Sequence, residues 1–154
     1  MPIVAEGSPV IDLIVWIQVA ATLFLTGLIW VIQVVHYPLM NRVSKERFPE
    51  FHGQHSQRIG SLVIAPMVLE FATAALLLIV RPYNVPTWLL LSGATLVGII
   101  WISTFALQVP QHRLLATGFD SAAHRALVRG NWIRTVAWTL RAVIVIAMAI
   151  TFKG

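Results

Sequence analysis

Five histidines are the only soft ligands this chain has, because it contains no cysteine and therefore no thiolate, disulfide or iron–sulfur cluster. Two of them close long apolar strings: "WVIQVVHYPLM" carries Gln33 and His36, and "QVPQHRLL" carries Gln108 and His112. His52 and His55, in "HGQH", fall at i, i+3 on one helical face, and His124 follows in "DSAAHRALVRGN". Neutral imidazole is the commonest transition-metal ligand, and histidines from several bundle helices converge readily on one ion or on a haem iron. His36, His52, His55, His112 and His124 are the metal-ligand candidates, although the His-Glu-x-x-His pattern of a zincin is absent. A second constellation is a pair of charges, Glu70 and Arg141, each set inside a long apolar run.

The elements that position these residues must be membrane helices. Of 154 residues 58% are hydrophobic and 11% charged, against roughly 25% charged in a soluble domain. Four apolar segments, at about 13–36, 61–81, 87–109 and 132–152, each approach the ~20 residues a helix needs to cross a bilayer. Period-2 alternation, the mark of a spanning barrel, is missing. The expected fold is all-α: one transmembrane domain over 1–154, a four-helix bundle of two consecutive helical hairpins. Amphipathic lead-ins are expected at 45–60, with Pro49 in a first turn, and at 121–131, with Asp120 or Ser121 as N-cap. The acidic, Arg-free N-terminus "MPIVAEGSPVID" is not that of a cleaved signal.

Charge sets the expected orientation. Arg42, Lys45, Arg47 and Arg58 follow the first helix and Arg113, Arg125 and Arg129 the third, whereas the other side holds Arg81 and Lys153. The positive-inside rule then puts both long loops in the cytoplasm and both termini outside. The net charge of +5 thus meets anionic headgroups rather than nucleic acid.

Helical periodicity gives every span one polar face. Gln18, Thr22, Thr26, Gln33 and His36 lie within about 80° of one another. Trp101, Thr104, Gln108 and His112 share a face of the third helix, with Pro110 able to distort its last turn. His124, Leu127, Asn131, Arg134, Trp138 and Arg141 form a seam on the fourth. Depth sorts these groups into two layers. Glu70 and Arg141 each lie roughly 15 Å into their spans from the same side, which predicts an ion pair with Thr26, Ser103 and Thr104 at hand to hydrogen-bond it. The pair is either a structural clamp or a means of positioning a substrate, proton or cofactor carboxylate. The rim layer gathers Gln33, His36, Gln108, His112, Asn131 and Arg134, with His52, His55 and His124 just below. Trp16, Trp88 and Trp132 are expected interface anchors, while Trp30, Trp101 and Trp138 are deeper. The first and third helices also end in similar polar strings, a weak internal echo.

The stretches "QVPQHRLLATG" and "LVRGNWIRTVAWTLRAVI" resemble a group of small four-helix bacterial membrane proteins of unknown function, related to the anthrone-oxygenase-like proteins. The matching stretches are Val109–Leu114 and Trp132–Arg141, with Trp132, Thr135, Trp138 and Arg141 as the mapped residues. The resemblance covers the C-terminal third; it implies a four-helix bundle and oxygenase chemistry on an aromatic polyketide.

The residues favour a membrane oxidoreductase or cofactor-binding protein that handles a lipophilic molecule: a quinone, haem or aromatic, or a transition metal. Glu70, Arg141, Gln33 and Gln108 are its catalytic candidates, and His36, His112, Arg134, Trp101 and Trp138 its cofactor-binding candidates. The alternatives are a non-catalytic subunit or assembly factor of a larger membrane complex, and a small proton-coupled transporter acting as a homo-oligomer.

Overall fold

The computed structural model describes residues 8–153. Four helices are long and apolar enough to cross a membrane: α1 (Pro9–Met40), α2 (Phe48–Val80), α3 (Thr87–Ala116) and α4 (Ser121–Lys153). Among the described residues there is no strand. Both lead-ins run without a break into their spans, α2 passing through Pro66. Asp120 caps α4 as expected, accepting a hydrogen bond from the Ala123 amide at 2.7 Å. Glu6 and the N-terminal stretch around it lie outside the described residues.

Each helix packs on two neighbours, α1 and α3 both lying against α2 and α4. At one end Ile11 and Val15 of α1 meet Leu77 of α2, Leu89 and Leu90 of α3 and Met148 of α4. At the other, Met40 of α1 meets Phe48 of α2, Leu115 of α3 and Leu127 of α4. A third cluster, Leu25, Ile29, Met67, Ile100 and Trp138, fills the middle. Large apolar residues such as Leu13, Phe24, Ile64, Phe71, Ile102, Phe105 and Val143 are exposed on the outside. An apolar exterior around a polar interior suits lipid rather than water, so this is a multi-pass membrane protein. Trp16, Trp88 and Trp132 are indeed exposed, but so is Trp30, which stacks edge-on against Trp132 and hydrogen-bonds Thr139. Trp30 therefore faces outward.

Two features of α1 and α3 escape a regular helical wheel. Ile32–His36 and Thr104–Gln108 are wide π-helical turns. The Tyr37 amide reaches back to the Ile32 carbonyl and the Val109 amide to the Thr104 carbonyl, each five residues earlier. Pro38 and Pro110 come next. A proline donates no hydrogen bond and crowds the carbonyl one turn back, and a widened turn relieves that crowding. The distortion expected near Pro110 is thus real and has a twin before Pro38. Each bulge inserts one residue into the ladder and rotates everything beyond it.

Candidate functional site

The deeper polar layer is a closed network. Glu70 and Arg141 pair at 2.7 Å, with 0% and 2% of each residue exposed. Glu70 also accepts from Thr22 at 2.7 Å and from the Trp138 indole at 3.0 Å. Gln18 donates to Thr22 and accepts from Thr73. Arg141 spends a further N–H on the Gly93 carbonyl. Glycine suits that approach, because a Cβ there would sit 3.1 Å from Arg141 Nη1 and the guanidinium would have to give by a few tenths of an ångström. The pair was legible from depth; its hydrogen-bonding partners were not. Thr26 bonds the Thr22 and Trp138 carbonyls, Thr104 bonds Ile100 of its own helix, and the buried Ser103 hydroxyl has no partner. Thr22, Trp138 and Gly93 take their places. The space beside the pair is only about 10 Å³, near the minimum for one water molecule.

The rim layer is open. A cavity of about 470 Å³ lies between α2 and α3, its walls made by Ile59, Val63, Met67, Trp101 and Phe105. Ile64 and Phe105 line it and are exposed on the outer face of the bundle, so it opens sideways between two spanning helices. Its inner wall collects Tyr37, His55, His112 and Arg134. His112 is central: its Nδ1 lies 3.1 Å from His52 Nε2 and its Nε2 3.3 Å from the Tyr37 hydroxyl. His36 stacks on His55 with ring centroids 4.0 Å apart. Four of the five histidines therefore gather from α1, α2 and α3. Tyr37, overlooked in the sequence beside His36, belongs with them; its phenol in a proline-kinked polar turn was the available signal.

The remaining candidates are placed otherwise. His124 hydrogen-bonds the Tyr37 carbonyl at 2.8 Å and packs on Phe119, which ties α4 to the end of α1 and takes the imidazole out of the cluster. Gln33 accepts from Asn131 at 2.7 Å and donates to the Val128 carbonyl, so it braces α1 against α4 rather than orienting His36. Gln108 is turned by its bulge toward Gly130 on α4, and both of its amide atoms are buried without partners. It does not share the cavity with Trp101, Thr104 and His112. Trp138 belongs to the Glu70 network and not to the cavity wall. Among the described residues no three His, Asp or Glu side chains are disposed to hold one metal ion.

No protein family, curated protein or solved structure matches this chain. The chemistry must be read from the site. Several buried polar atoms around it lack partners: Trp101 Nε1, Arg134 Nε, His36 Nε2 and His52 Nδ1. Buried donors and acceptors are nearly always paired, and here four unpaired ones lie in or beside one cavity. The chain Tyr37–His112–His52 also has two proton arrangements. If the phenol donates to His112, His112 donates to His52; if His52 donates to His112, the imidazole donates to the phenol oxygen.

Proposed function

We propose that this chain is a membrane oxidoreductase or ligand-binding protein that takes a lipophilic molecule from the bilayer into the cavity between α2 and α3. Tyr37 and His112 serve there as the acid–base pair, with His52 as the next proton acceptor. The observation that carries this reading is the side-opening cavity, apolar at its mouth and polar at its inner wall. Ligand sites have this construction, a mostly apolar cleft with few converging polar groups. A hydrogen-bonded Tyr–His–His chain suits a reaction in which a carbonyl, phenol or quinone gains or loses a proton. The aromatic oxygenase-like chemistry implied by the resemblance uses such a proton path equally well. The basic end, with Arg42, Lys45, Arg47, Arg58, Arg113, Arg125 and Arg129, faces the cytoplasm of a bacterium in this reading.

The polar stripe of α1 weighs against a transport path, because Gln18, Thr22 and Gln33 are engaged in hydrogen bonds between helices. Organic extracts of detergent-purified protein, analysed by mass spectrometry, test the reading. A lipophilic compound should copurify with the wild type and be recovered in smaller amount from Val63→Trp, whose bulkier side chain narrows the cavity. Equal recovery from both proteins would sink the proposal. An absorbance spectrum and elemental analysis of the same sample test whether haem or a metal is bound as well.

A further inference from the structure

Arg134 points to the chemistry of the ligand. It is 8% exposed and lines the cavity, yet the only ion pair among the described residues is Glu70–Arg141. Its guanidinium lies over the ring of Trp138, 5.2 Å from the centroid, and its Nε has no partner. Trp138 is one turn further along α4, deeper in the bundle. The side chain therefore reaches inward, although the basic end is close enough for an arginine to snorkel to it. A buried arginine without an anion is costly, and such charges are retained where something pairs with them.

Among the described residues no acid supplies that pairing. Glu70 is bound by Arg141, Thr22 and Trp138. Asp12 is at the opposite end, and Glu46, Glu50 and Asp120 are exposed at the connections. The groups around the chamber are His36 and Tyr37 from α1, His52 and His55 from α2, His112 from α3 and Arg134 from α4, all neutral or cationic at neutral pH. A second orphan sharpens the point. Trp101 Nε1, also on the cavity wall, is buried without an acceptor, and an indole N–H can only donate. Two unpartnered donors, one cationic, thus line one apolar cavity.

We infer that the ligand is a lipophilic oxyanion: an apolar body in the slot between α2 and α3, with an anionic head of the carboxylate or phosphate kind received by Arg134 and Trp101. This rests on the cavity being a ligand site. The head belongs to a free lipophilic acid or to a membrane phospholipid, and the test separates the two.

The full chain in phosphatidylcholine nanodiscs is titrated with laurate and with its uncharged match, methyl laurate. Laurate should bind saturably and roughly 10- to 100-fold more tightly than the ester, the span expected of a charge-assisted hydrogen bond. Arg134→Gln should erase the preference while leaving ester binding, Arg134→Lys should keep part of it, and Trp101→Phe should reduce it. Without ligand, Arg134→Gln should unfold at a temperature no lower than the wild type, since it removes an unpaired buried charge. Laurate should raise the midpoint of the wild type alone. Phosphatidylglycerol in the disc displacing laurate would support the inference and assign the head to a lipid. Equal affinity for acid and ester overturns the anion while sparing the cavity reading. A less stable Arg134→Gln also overturns it, by making the arginine structural. Binding of neither probe, or binding unchanged in Val63→Trp, removes the cavity reading and the anion with it.

Discussion

The two polar layers of this bundle use similar residues to opposite effect. Around Glu70, Thr22, Trp138 and Arg141 all donate to one carboxylate and the free space is about that of one water molecule. Around His112, a cation and several ring nitrogens stand unpaired beside a 470 Å³ chamber. A saturated network in a low-dielectric interior holds helices in register. An unsaturated one keeps its hydrogen-bonding capacity for something else. Satisfaction, more than polarity, separates the clamp from the candidate site.

Breaking the clamp should produce the largest effect. Glu70→Ala leaves Arg141 buried and unpaired, and should cost about 3–5 kcal/mol in reversible unfolding in detergent. The double variant Glu70→Met, Arg141→Met should be more stable than Glu70→Ala; a double variant as unstable as the single would mean the pair does more than clamp. Asn131→Ala deprives Gln33 of its donor and should cost roughly 1–3 kcal/mol, measured the same way. His112→Phe should cost only about 1 kcal/mol, since the chamber tolerates unpaired groups, yet it should abolish turnover or proton uptake on ligand binding. A loss as large as that of Glu70→Ala would erase the distinction between the layers. Thr104→Val should be the mildest, within about 0.5 kcal/mol, because its hydroxyl bonds only its own helix. A thermal-shift assay suffices for it.

Much of this was legible in the sequence, for physical reasons. Apolar runs of bilayer length admit few folds, and a lone glutamate and arginine at equal depth have few affordable partners but each other. Gln18 and Thr22 were recognisable as an interior stripe. What hydropathy could not convey was local geometry. The wheel assumes 100° per residue, and both bulges break that assumption just where the rim residues begin. Hence Gln108 left the face of His112, while Tyr37 joined it. His124 misled for a different reason: residue type says that an imidazole can ligate, but not that a neighbouring carbonyl already holds it. Gly93 was invisible because its contribution is a backbone carbonyl and an absent Cβ.

The wide turns also bear on how such a chain tolerates change. Ile32–His36 and Thr104–Gln108 each hold one residue more than a regular ladder would. Everything beyond them, Tyr37 in one helix and His112 in the other, owes its bearing to that surplus. Closing either turn to regular pitch with every residue retained would swing the rim through roughly a quarter turn, whereas deleting the surplus residue lets the ladder close with the rim left on its bearing. The surplus is therefore a reserve of chain length, which lets either helix lose one residue within the wide turn without turning the chamber.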